Sequence, residues 1–167
     1  MPTRLLLLTT VLLLSLAAPA SAVIVPGKGM AGLELGDSID HAIDVIGYPD
    51  KTWGEEAPTG EFVETYTYEK LGIKIGFYHG PGQSLVAGEF RAYKGSERTA
   101  EGIGKGTMRK TIKAKLGKRV KCETFKLGKR RIRSCHIGKF RPSKPVTEFR
   151  IDSKGRVSYV SVRYVSD

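Results

Sequence analysis

The sequence predicts an α+β fold of two tandem repeats, each a short helix followed by an antiparallel meander, forming one sheet with helices on one face. Three observations lead there. Gly36 and Gly47 bracket ten residues, and Gly106 and Gly117 bracket ten more, 70 positions later. Inside both brackets apolar residues recur at helical spacing. Beyond both, the apolar period changes to two, the spacing of a strand with one buried face.

The chain begins with Met1, Pro2, Thr3 and Arg4, followed by an apolar run from Leu5 to Ala18 broken only by Thr9, Thr10 and Ser15. Such a run is short for a bilayer span but fits the core of a signal peptide. Pro19 ends it, and Ala20, Ser21 and Ala22 form a small-x-small cleavage pattern. Residues 1–22 are therefore expected to be a signal peptide, and the protein to be secreted or otherwise extracytoplasmic. No cysteine follows the run, so no lipid-anchored start is expected. The mature chain has no further apolar stretch of spanning length, and no transmembrane segment is expected in it.

In the first repeat, 23–98, Ile39, Ala42, Ile43 and Ile46 form one helical stripe. Asp37 stands where an N-cap belongs, Gly47 where the helix stops, and Pro49 reinforces the stop. Strands are predicted over 61–69, 72–79 and 85–93, with turns at Lys70 to Gly72 and Gly80 to Gln83. In the second repeat, 99–167, the stripe is Met108, Ile112 and Leu116, with Thr107 as the N-cap. Strands follow over 121–127, 132–140, 146–151 and 157–165, and Asp152 to Gly155 is a hairpin turn. Residues 99–105 link the halves, and at about 70 residues neither half buries much alone.

Cys122 and Cys135 have twelve residues between them. In an exported chain they are expected to form a disulfide, closing a loop at a gain of roughly 3 kcal/mol. A zinc site is the rival reading, but His136 supplies at most a third ligand, and no metal is expected.

The bracketed helix, the meander and the duplication together resemble the beta-lactamase-inhibitor-protein fold, which is shared with the SmpA/OmlA family of small outer-membrane lipoproteins. The resemblance spans most of residues 30–165. It implies a disulfide-closed hairpin after the repeat helix, a place that Cys122 and Cys135 occupy in the second half only. It also implies that partners bind on an open sheet face. The anchoring cysteine of the lipoproteins is absent, and the inhibitors' contact residues lie in loops with no motif to carry over.

Charge divides the chain sharply. Residues 23–95 carry six basic and eleven acidic side chains, net −5, whereas residues 96–167 carry 21 basic and six acidic, net +15. Thirteen of those bases lie between Lys105 and Arg133, against the single acid Glu123. Arg109, Lys110 and Lys113 lie off the helix stripe, and Lys129, Arg130, Arg131 and Arg133 lie in the expected hairpin. Together they are the candidate site for an anionic partner, attracted through long-range electrostatics. An acidic extracellular protein or an anionic envelope polymer fits the compartment, and nucleic acid does not. A solvated basic face, or neutralisation by the acidic half, are the competing readings.

A second candidate surface comes from strand alternation. If Ile73, Ile75, Phe77, Phe90, Phe149, Val160 and Val162 face the helices, then Lys74, Tyr78, Arg91, Tyr93, Arg150, Tyr159 and Arg163 share the other face. Tyrosine and arginine are enriched where binding energy concentrates. Catalysis finds little support: His41, His79 and His136 stand outside any paired-histidine, nucleophile-elbow or phosphate-loop motif, and no cofactor is expected. The sequence thus predicts an exported, non-catalytic binding module. A structural envelope-associated protein without a dedicated target, or an inhibitor of an exported enzyme, are its alternatives.

Overall fold

The computed structural model describes residues 23–56, 62–79 and 84–165. The signal-peptide reading of residues 1–22 and the turn at 80–83 lie outside the described residues. In chain order the elements are β1 (Val23–Val25), β2 (Gly29–Met30), β3 (Leu33–Glu34), α1 (Ile39–Ile46), β4 (Lys51–Glu56), β5 (Phe62–Tyr68), β6 (Ile73–His79) and β7 (Val86–Ala92). There follow β8 (Arg98–Thr99), α2 (Arg109–Leu116), β9 (Lys121–Leu127), β10 (Arg130–Ile137), β11 (Pro145–Ile151) and β12 (Val157–Tyr164).

The fold class differs from the predicted one. The protein is mostly β, with two sheets of four and eight strands, rather than two helix-plus-meander repeats forming one sheet. The small sheet has the order β3-β2-β1-β8, and the large one β4-β5-β6-β7-β12-β11-β10-β9. The two helices are only eight residues each. The sequence reading missed β1, β2, β3 and β8 because strands of two or three residues are too short to show a period. It missed β4 because every residue of this edge strand is exposed, so no apolar alternation marks it. Strand β8 pairs in parallel with β1, a contact between distant parts of the chain that no local pattern announces.

One face of the large sheet is buried beneath α1, α2 and the small sheet. Ile73, Ile75, Phe77, Phe90, Phe149, Val160 and Val162 are fully enclosed there, with Ala42, Ile112 and Leu116 from the helices and Ile24, Met30 and Leu33 from the small sheet. The helices begin one residue later than the sequence suggests. Asp37 and Thr107 stay outside the helices, their carbonyls accepting from the amides of Ala87 and Val157, and the extended residues that follow, Ser38 and Met108, bridge to Val86 and Arg156. Ser38 therefore caps α1, accepting from His41 N at 3.2 Å, and Met108 stands at the start of α2 without a side-chain cap. Both helices stop at glycines with positive φ, Gly47 (81°) and Gly117 (54°), as their spacing anticipates.

Tyr68 is nearly fully buried in this core, and its hydroxyl has no hydrogen-bond partner among the described residues. Burial raises its pKa to about 12. The folded state thus keeps a proton that the unfolded chain releases near its ordinary value of about 10. This contribution is intact below pH ~10 and is lost progressively as pH rises towards 12. The expected result for Tyr68→Phe is unchanged or higher stability at pH 7, by up to ~1 kcal/mol, because an unpaired buried hydroxyl is removed. The variant should also lose less stability above pH 10, as read by urea unfolding at pH 7 and pH 11.

Candidate functional site

The buried side of the large sheet has a polar counterpart. By strand alternation Trp53, Thr65, Lys74, Gly76, Glu89, Arg91, Arg150, Tyr159, Ser161 and Glu148 fall on the open face, as the cross-strand pairs show. A cleft of about 480 Å³ opens over β6, β7, β12 and β11. Of the seven side chains that alternation nominates for this face, five line it together: Tyr78, Arg91, Arg150, Tyr159 and Arg163. Tyr93 lies in an adjoining groove with Lys51, Thr67, Glu69, Lys74 and Arg91. Arg91 belongs to both and so joins them.

The arginines are held by partners that the sequence reading did not single out. Glu89 accepts from Arg91 Nη2 at 2.9 Å and from Nε at 3.3 Å. Burial pulls the Arg91 guanidinium down, but the charge and hydrogen bond of Glu89 outweigh it, and its pKa is raised overall. Glu148 is almost completely buried and lies between two guanidiniums, 3.1 Å from Arg150 Nη2 and 3.7 Å from Arg163 Nη2. Arg91 and Arg150 also lie 5.0 and 5.8 Å from the centroid of the Tyr159 ring. Such cation–π contacts orient a guanidinium without consuming its N–H donors. A signal for the carboxylates was present: Glu89 and Glu148 each stand two residues from an arginine on the same strand, and therefore on the same face.

Two bulges shape the cleft. Between β6 and β7, Gly76 pairs with Glu89 and Phe77 with Ala87, which leaves Gly88 as the extra residue. A Cβ at Gly88 would lie 2.5 Å from the Tyr78 ring, and one at Gly76 would lie 3.0 Å from it. The missing side chains let Tyr78 lie flat across the sheet as one wall. A second irregularity, between β11 and β12, inserts Ser158 immediately before Tyr159. At the other end Phe140 packs edge-on against His136, with ring centroids 4.5 Å apart, and sits 6.0 Å from the Arg163 guanidinium.

The basic candidates are arranged differently. Lys110 and Lys113 are exposed on α2, while Arg109 is half-buried and donates through Nη2 to the Cys122 carbonyl at 3.2 Å. That contact anchors the start of α2 against the base of the β9–β10 hairpin. Lys129, Arg130 and Arg131 are exposed at its tip, and Arg133 donates to the Ser153 carbonyl at 3.3 Å. Alternation splits the group, with Arg131 and Arg133 on the side of Cys135 and Arg130 on the opposite side. Acidic neutralisation is slight. Of the thirteen bases from Lys105 to Arg133, Arg119 alone forms an ion pair among the described residues, with Glu101 at 2.7 Å.

Cys122 and Cys135 are directly opposed across β9 and β10 and form a disulfide, with Cys135 fully buried. A buried disulfide is compatible with an extracytoplasmic protein. Of the histidines, His41 is exposed, 3.8 Å from Asp37. His136 is buried, and its Nδ1 has no partner among the described residues. The side chain of His79 lies outside the described set. No helix among the described residues is long and apolar enough to cross a membrane.

No protein-family model matches the chain, and no curated protein matches it. Comparison with solved structures shows similarity to the crystal structure of a DUF4309 family protein (YjgB) from Bacillus subtilis subsp. subtilis str. 168. The TM-score is 0.51 at 13% sequence identity, over 83% of this chain and 88% of that one. At so low an identity the likeness describes the fold and carries nothing about function.

Proposed function

We propose that the protein is an exported, non-catalytic binding module that engages an acidic extracellular protein or an anionic envelope polymer through its basic end. The observation that carries this reading is the lack of internal compensation: twelve of the thirteen bases between Lys105 and Arg133 have no carboxylate partner among the described residues. Side chains left this way keep their field directed outward, where it steers and holds polyanions. The disulfide and the Arg109 contact tie the basic hairpin to the basic helix, so part of the charge is held in a defined arrangement before a partner arrives. The signal-peptide pattern and the cysteine pairing support an extracytoplasmic setting.

The test is capture of exported proteins and envelope fragments on the purified protein, washed at low and at high salt. Polymer or lipid released as salt rises is the expected result for a polyanion partner. One protein retained at high salt would favour a specific target instead, and an exported enzyme that lost activity on capture would favour an inhibitor. At about 1 kcal/mol per basic residue near an anionic surface, reversing Lys129, Arg130 and Arg131 to glutamate should weaken capture by at least ~100-fold, with the fold unchanged. Nothing retained even at low salt would reduce the basic end to a solvated face.

A further inference from the structure

The cleft on the open sheet face is built for a different ligand. It contains three guanidiniums, Arg91, Arg150 and Arg163, and two carboxylates, Glu89 and Glu148, and so carries one uncompensated positive charge. The guanidiniums are placed by cation–π contacts and by carboxylates, yet each keeps donors to spare. A guanidinium has five N–H groups, and Arg91 commits only Nε and Nη2 to Glu89. Arg150 buries its Nε with no acceptor among the described residues, which is costly until an acceptor arrives. The rim is less polar, with Tyr78, Val86, Tyr164 and Val165.

We propose that this cleft binds a ligand bearing a single carboxylate, which the guanidiniums of Arg91, Arg150 and Arg163 receive while its apolar body rests on the tyrosine and valine rim. Charge balance selects the carboxylate. One negative charge neutralises the site, whereas a phosphate monoester brings about −1.5 to −2 and would place excess charge beside Glu89 and Glu148. The planar guanidinium fork also matches a carboxylate in two parallel hydrogen bonds. The volume of about 480 Å³ suits a small acid or the carboxyl end of a peptide. The Gly88 bulge, which lets Tyr78 lie flat, forms one wall of the site. This inference is independent of the basic end.

Titration calorimetry of the purified protein with phenylacetate, N-acetyl-alanyl-phenylalanine, the amide of that dipeptide, and inorganic phosphate tests it. Both carboxylates should bind and the amide should not. Arg163→Gln should weaken binding at least ~10-fold, the effect of losing a charge-assisted hydrogen bond. Arg91→Lys, which keeps the charge but loses the fork, should weaken it as well and serves if Arg163→Gln fails to fold. Phenylacetate binding as tightly as the peptide would point to a free acid as the natural ligand, and tighter peptide binding to a chain end. The triple Lys129→Glu, Arg130→Glu, Arg131→Glu variant should bind phenylacetate like the parent, which separates this site from the polyanion surface. No carboxylate binding at millimolar concentration, parental affinity in both arginine variants, or tighter binding of phosphate would each overturn the proposal.

Discussion

Phe90→Ala is expected to lower the unfolding free energy by about 3–5 kcal/mol, the range for removing a buried phenylalanine. Phe90 is fully enclosed at the centre of β7, the strand where β4 to β7 meet β9 to β12. It faces Ile75 across one ladder and Val162 across the other. A void there strips contacts from both halves of the large sheet. Neighbours anchored in two ladders have little freedom to collapse into it, so the upper part of the range is expected. Urea unfolding followed by far-ultraviolet circular dichroism and by tyrosine fluorescence provides the check. One coincident transition at a lower midpoint is the expected outcome, since a shared core makes the halves unfold together. Two separated transitions, or a loss below ~1 kcal/mol, would show instead that the halves are stabilised independently.

Replacing Cys122 and Cys135 together with serine is expected to cost about 3 kcal/mol, the chain-entropy value for a loop of this size. The location of the bridge adds a salt-dependent component. Cys122 and Cys135 face each other in a hairpin where one further pair brings like charges together: Lys126 opposes Arg131. Like charges directly across a ladder destabilise it by roughly 0.2–1 kcal/mol. The hairpin is also the edge of the sheet, held by a neighbour on one side only. Without the crosslink, repulsion should fray this edge, and salt should restore part of the loss by screening it. The loss measured at 20 mM salt should therefore exceed that at 500 mM, and an equal loss at both would remove the electrostatic component. Because Cys135 is fully buried, reduction of the native protein by a thiol should also be slow, proceeding only as the edge opens.

Much of the buried face was legible in the sequence. Residues Ile73, Ile75 and Phe77 alternate within a single strand, and a period of two means one enclosed face whatever the neighbours are. The same holds for Val160 and Val162 in β12. The cysteine pair was legible because a chain with only two thiols has one way to bridge them internally. The helix stops at Gly47 and Gly117 were legible because a positive φ has few occupants besides glycine. The helix starts were not, since Asp37 and Thr107 are tied outside the helices by hydrogen bonds from the amides of Ala87 and Val157, some 50 residues away in each case.

The candidate cleft shows the same division. The sequence by itself determined which side chains share the open face, because alternation is a property of each strand alone. It also determined the charge imbalance, the cysteine pair and the apolar set of the core. Tertiary structure decided the rest. The order of the eight strands brings Arg91 of β7 beside Tyr159 of β12 and Arg150 of β11, which lie far apart along the chain. The four-stranded sheet exists only because β1 meets β8 in parallel, and strands so short gain stability from that pairing and from burial of Ile24 and Met30, not from local preference. Glu148 shares a strand and a face with Arg150, but its place between two guanidiniums depends on β12 lying alongside to supply Arg163. Periodicity is written residue by residue, whereas ladder order and bulges arise from contacts between distant segments, and only the folded chain brings those segments together.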